Sequence, residues 1–200
     1  MKRATSSGFA SALLVLSAAL VACDAPGEPV APTLAPSFGV AGQPGVLKTD
    51  ADQLAELRQV TAHFQRKEAA VAAGYETQVT PCWAHHSAGA MGYHYGKTDL
   101  FDAEVALLEP EVVMYEPQPG GHMKLVGMEY IVPLAAWDAA GHDLGDPVDV
   151  PELLGQKYTR HSFLPIFKLH IWLWRQNPAG TFADWNPKVT CAHAESTEVF

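Results

Sequence analysis

Three ionisable side chains stand in the middle of apolar, strand-like runs. His94 lies in Gly-Ala-Met-Gly-Tyr-His-Tyr-Gly, Glu129 in Val-Gly-Met-Glu-Tyr-Ile-Val, and His170 in Ile-Phe-Lys-Leu-His-Ile-Trp-Leu-Trp. A carboxylate in such surroundings is expensive to bury alone, so a histidine, a basic side chain, a metal ion or water must offset the desolvation. Two imidazoles and one carboxylate on neighbouring strands form the ligand set of many Zn and non-haem Fe sites. If they converge, the chemistry open to them is metal-assisted, with Glu129 or a histidine as general base beside a metal-bound water. Gly92 and Gly96 flank His94 and leave room for a ligand. Trp172 and Tyr115 would supply the rest of the lining for a small ligand.

A second reading uses the same residues differently. His94, Glu129 and His170 can form a core hydrogen-bond network, with Glu129 paired to Arg160, Lys168 or Arg175. The protein would then be a structural or protein-interaction module, acting through an exposed face or through residues 138–163. The three residues are far apart in the chain and form no local motif such as H-E-x-x-H. Met91, Met114, Met123 and Met128 lie in or beside the same runs, and thioethers with imidazole suit copper. Methionine also fills irregular core gaps, and strict alternation puts Met91 and His94 on opposite faces, so copper ranks below Zn and Fe. His85 and His86 follow Cys82-Trp83-Ala84; in an extended chain they point apart, and at most one could join a site. Glu116 reads as a surface residue at a strand end. No G-x-S-x-G nucleophile turn, phosphate loop or dinucleotide fingerprint is present.

The elements that must position these groups can be read from the pattern. Thr49 is a good N-cap, followed by Asp50 and Asp52 at the positive end of a helix. Leu54, Leu57, Val60, Phe64 and Val71 fall on one stripe, and Gly74 is a stop signal. Strands are expected at Gly89–Tyr95, Glu111–Glu116, Lys124–Val132, Phe167–Arg175 and Lys188–His193. Alternation puts Leu125, Gly127, Glu129 and Ile131 on one face of the third, and His170, Trp172 and Trp174 on one face of the fourth. Residues 138–163 read as a long irregular excursion, and 177–187 as a loop. The expected fold is α+β: a mostly antiparallel sheet, open to curling towards a barrel, with one main N-terminal helix packed on it.

The first residues carry a different kind of information. Lys2 and Arg3 precede an apolar run from Phe9 to Leu20, then Leu20-Val21-Ala22-Cys23. This is the layout of a secretory signal, and the apolar core is too short to span a bilayer. The Leu-Val-Ala-Cys ending resembles the lipobox of bacterial lipoproteins. That resemblance implies that residues 1–22 are removed and that Cys23 is lipidated. The domain would then be anchored in the cell envelope of a bacterium, outside the cytoplasm. Residues 23–48, rich in Pro and Gly, read as a tether, and 49–200 as a single globular domain. The chain carries net charge −9, and −11 without Lys2 and Arg3. Such a balance argues against nucleic acid as a partner and leaves lipid as the means of membrane attachment. With Cys23 lipidated, Cys82 and Cys191 remain as a pair, which in an exported chain reads as a disulfide.

Overall fold

Helix α1, Asp50–Thr61, opens with a reciprocal cap: the Thr49 hydroxyl accepts from the Asp52 amide at 3.2 Å, and the Asp52 carboxylate accepts from the Thr49 amide at 3.0 Å. The computed structural model describes residues 48–200, so the expected signal, Cys23 and the expected tether through residue 47 lie outside it. The expected single helix is interrupted. After α1 the chain tightens into a 3₁₀ turn at Ala62–Gln65, extends at Arg66 (φ −96°, ψ 114°), and resumes as α2, Lys67–Ala72. Gly74 follows at φ 101°, which suits its place as a stop. Leu57, Phe64 and Ala70 point the apolar stripe into the main core.

The strands are β1 Thr77–His85, β2 Gly89–Gly96, β3 Val112–Pro117 and β4 Met123–Pro133. A short helix, α3 Leu134–Ala139, leads to β5 Glu152–Leu153, β6 Gln156–Lys157, β7 Thr159–Arg160, β8 Ile166–Ile171 and β9 Thr197–Val199. Seven of them form one sheet in the order β7-β8-β4-β3-β2-β1-β9, and β5–β6 is a separate hairpin. Every pair is antiparallel except β1 with β9. The fold is α+β, with the helices on one sheet face. The other face is curled: the rings of Trp83 on β1 and His161 just past β7 are 5.5 Å apart. On a flat sheet five strand spacings of about 4.8 Å would separate those strands.

Several boundaries differ from the sequence pattern, each for a physical reason. Strand β1 is not among the expected strands, and Pro81 sits inside it. The pairing with β2 is irregular between Thr80 and Trp83, where the missing proline N–H does no harm. The run Phe167–Arg175 ends as a strand at Ile171. Beyond it Trp172 stays on the curled face, while Leu173 and Trp174 pack into the helix-side core, so His170, Trp172 and Trp174 do not share a face. Lys188–His193 is not a strand; the last strand is Thr197–Val199. The excursion 138–163 contains the end of α3, the β5–β6 hairpin and β7. In β4 the register against β3 shifts by one residue, Met114 facing Gly127 and Tyr115 facing Leu125. This bulge at Val126 turns Leu125 to the helix-side core and Val126 to the curled face, so Leu125 and Glu129 lie on opposite faces.

Cys82 and Cys191 form a disulfide across 109 residues of chain. It ties the tail between β8 and β9 to β1. Among the described residues no helix is long and apolar enough to cross a membrane.

Candidate metal centre

His94, Glu129 and His170 meet on the curled face. Strand β4 brings Glu129 directly opposite His170 of β8, and β2 brings His94 opposite Met114 of β3. His94 therefore reaches over β3 towards Glu129. His94 Nε2 lies 3.6 Å from one Glu129 oxygen and His170 Nε2 lies 3.2 Å from the other. One ligand atom from each residue lies within 4.8 Å of the other two, and all three residues are buried.

The outer atoms of the imidazoles are held as well. His94 Nδ1 is 2.8 Å from the Thr80 hydroxyl. His170 Nδ1 is 3.5 Å from Asp184, whose carboxylate also pairs with the buried Lys168. A histidine whose inner nitrogen faces a common point while its outer nitrogen meets a hydroxyl or carboxylate has the arrangement of a metal ligand with its outer support. The contacts of His94 Nε2 and of both His170 ring nitrogens have ion-pair distances but not hydrogen-bond geometry, so these three buried nitrogens lack hydrogen-bond partners. Unpartnered buried nitrogens are uncommon and call for a reason.

The electrostatics follow from burial and from the neighbours. Burial pushes His94 down to about 4, more than the Glu129 carboxylate pulls it up. Burial works against Glu129 too, but His170 and then His94 outweigh it and hold the carboxyl at about 2. His170 is raised: burial opposes its charge, and Glu129 and Asp184 together favour it more. Asp184 is held well below the usual carboxylate range, first by His170 and then by Lys168, against burial. Without metal the surroundings thus favour an ionised Glu129, a proton on His170 and a neutral His94.

Of the lining residues expected with the trio, Trp172 is adjacent, its ring 6.2 Å from that of His170, and its Nε1 donates to the Ala183 carbonyl at 2.6 Å. Tyr115 is not. It lies in the helix-side core, its hydroxyl donating to the Phe64 carbonyl at 2.6 Å. It occupies the sheet face opposite His94 because its strand neighbour Met114, not Tyr115, pairs across from His94. Of the basic residues expected to neutralise Glu129, none forms an ion pair with it: Lys168 pairs with Asp184, though its charge still helps to lower the Glu129 pKa, and Arg175 donates to the Lys188 carbonyl at 2.7 Å. Glu116 is buried rather than exposed and accepts from the Thr190 amide at 3.0 Å. His85 and His86 stack at 4.4 Å instead of pointing apart, since the chain turns there. Met91 does not stay on the face away from His94. Gly92 at φ 90° interrupts the alternation, and Met91 lines a cavity with Lys168 and Asp184.

Sequence reasoning missed Thr80, Asp184, Trp83 and His161. Lys168 shares the His170 alternation and so had a signal, but Asp184 sits in a loop with no periodicity. His161 lies against Trp83, and burial lowers its pKa, so it favours the neutral ring.

A second buried carboxyl stands apart from the trio. Glu111 precedes β3, accepts from the Ile131 amide at 3.2 Å, and is pushed up to about 8 by burial. Its folded pKa exceeds the unfolded value. Its favourable contribution is therefore complete below about 4.5 and is lost as pH rises through about 8. Replacing it with Gln keeps the acceptor and removes the charge. The stability of wild type relative to Glu111→Gln should fall by a few kcal/mol between pH 4.5 and 8, read by urea unfolding at each pH. A constant difference would contradict the burial argument.

No family model, curated protein or solved structure matches the chain.

Proposed function

We propose that this protein is an exported, lipid-anchored domain that binds a divalent metal ion, Zn or Fe, at His94, Glu129 and His170, with a small ligand as its partner at that centre. The observation that carries the metal reading is the set of unpartnered nitrogens, His94 Nε2 and His170 Nε2, facing the buried Glu129 carboxylate. Imidazole and carboxylate suit Zn and Fe, and the absence of a thioether in the trio favours them over copper. Three protein ligands leave positions for water or substrate, and a bound ion would supply Lewis acidity and a more acidic water. The residues of this chain do the rest. Thr80 and Asp184 orient the two imidazoles, Lys168 fixes Asp184, and Trp172 helps to keep bulk water away.

The lipid anchor rests on Leu20-Val21-Ala22-Cys23 and its resemblance to a lipobox, and residues 24–47 would hold the domain off the bilayer. The strongly acidic charge supports a partner other than nucleic acid.

Elemental analysis of the purified full chain tests the metal reading. About one Zn or Fe per chain is expected, removable by a chelator and restored by repletion. No metal after repletion with Zn, Fe and Cu would leave the trio as a core network. Mass spectrometry of the envelope-bound protein should show an acylated Cys23 as first residue; a mature chain beginning elsewhere would reject the anchor.

A further inference from the structure

A cavity of about 170 Å³ leads from the surface to Glu129. Its walls are largely apolar, from Phe101, Val112, Ile131, Leu164 and Ile166, with the Trp83 ring on one side. An apolar protein cavity of about 150 Å³ is enough to hold benzene. The size and lining therefore fit one six-membered ring.

Three polar side chains reach this cavity: Thr80, Glu129 and His161. The Thr80 hydroxyl is engaged with His94 Nδ1 at 2.8 Å. His161 has a defined tautomer. Its Nδ1 accepts from the Leu164 amide at 3.2 Å and from the Phe163 amide at 3.4 Å, so in the neutral ring the proton sits on Nε2. His161 thus offers one N–H donor. It and Trp83 are the two residues shared with the neighbouring cavity of about 330 Å³, so they stand between the two. An apolar ring-sized slot lined by one N–H-bearing residue, His161, and by one of the three candidate ligands, Glu129, is complementary to a ring bearing one oxygen. Trp83 and Phe101 are the aromatic residues of the lining, which favours an aromatic ring over an aliphatic one.

We infer that this slot binds a single-ring phenol, the ring held between Trp83 and the aliphatic wall and the oxygen directed to His161 Nε2–H and the metal at Glu129. The inference names the ligand class of the proposed centre. It rests on the metal reading only for the last of these contacts.

The test is calorimetric titration of the full chain with benzene and with phenol, first metal-free and then Zn-loaded. Both probes should bind the metal-free protein saturably, phenol about fivefold more tightly, as one net hydrogen bond provides. Val79, at the rim and 39% exposed, allows the slot to be plugged without disturbing the core. Val79→Trp should abolish saturable binding of both probes. His161→Asn keeps an acceptor for the two amides but loses the Nε2 donor, and should bring the probes within about twofold of each other. Zn should tighten phenol and leave benzene unchanged.

Absence of saturable binding to metal-free protein, or binding undiminished by Val79→Trp, would overturn the slot. A phenol preference that survives His161→Asn would overturn the role of His161. Bound Zn with no change in phenol affinity would overturn the contact with the metal. Failure of Zn to bind at all would instead reject the metal reading, and the metal-free titrations would still decide the slot.

Discussion

His94→Ala and His170→Ala proteins are expected to bind Zn more than about a hundredfold more weakly than wild type. Outer partners of metal ligands alone carry roughly 10–100-fold in affinity, and each of these imidazoles is a ligand in the proposed centre. Competition with a chromophoric chelator would measure the loss. Thr80→Val and Asp184→Asn, which leave all three ligands in place, should fall in that intermediate range. The gradation matters because either alanine variant also leaves Glu129 with one partner fewer in a buried site, which destabilises the fold by itself. Near-UV circular dichroism of each variant separates unfolding from loss of a ligand. Affinity in wild type should fall on acidification, since the ion displaces the proton that Glu129 and Asp184 hold on His170. Equal affinity across all four variants would remove the centre.

Loss of the Cys82–Cys191 bridge is the other large effect. The bridge closes a loop with a sequence separation of 109, for which the chain-entropy account gives about 4–5 kcal/mol. A Cys82→Ala/Cys191→Ala protein should melt more than about 8 °C below wild type by scanning calorimetry, and reductant should produce the same shift in wild type only. The tail between β8 and β9 carries the Trp172 partner Ala183, the His170 partner Asp184 and β9 itself. The double variant should therefore also bind Zn more weakly. An unchanged melting temperature would mean that tail contacts, not the bridge, hold β1 and β9 together.

The trio was legible in the sequence because burial makes a lone mid-strand Glu129 untenable, and because His94 and His170 occupy the same kind of position. The α+β class and the disulfide pair were legible for similarly local reasons: alternation, capping at Thr49, and an even cysteine count after Cys23 is set aside. What escaped were features set by interruptions of the pattern. Strand β1 is not among the expected strands, and Pro81 inside it falls where pairing with β2 is already irregular. The end of β8 at Ile171 broke the alternation that had grouped Trp174 with His170. Tyr115, expected in the pocket lining, lies on the opposite face. A cross-strand register, Met114 opposite His94, decides its face, and no single strand contains that information. Asp184 and His161 reach the site from loops, where residue type gives no direction.

The bulge at Val126 has a consequence for how this chain can change length. Leu125 on the helix side and Glu129 on the curled side are four residues apart, a spacing that regular alternation would place on one face. Deleting Val126 would leave three steps, an odd number, which regular alternation by itself places on opposite faces. Leu125 and Gly127 would become neighbours and still pair with Tyr115 and Met114, now without a shift. Leu125 would stay in the helix-side core and Glu129 on the curled face, and the strand would lose the Val126 side chain and the carbonyl that accepts from the Trp174 and Arg175 amides at 3.0 Å. The bulge is thus one residue that β4 can shed without moving the site carboxylate, and its use lies in what it holds beyond β8.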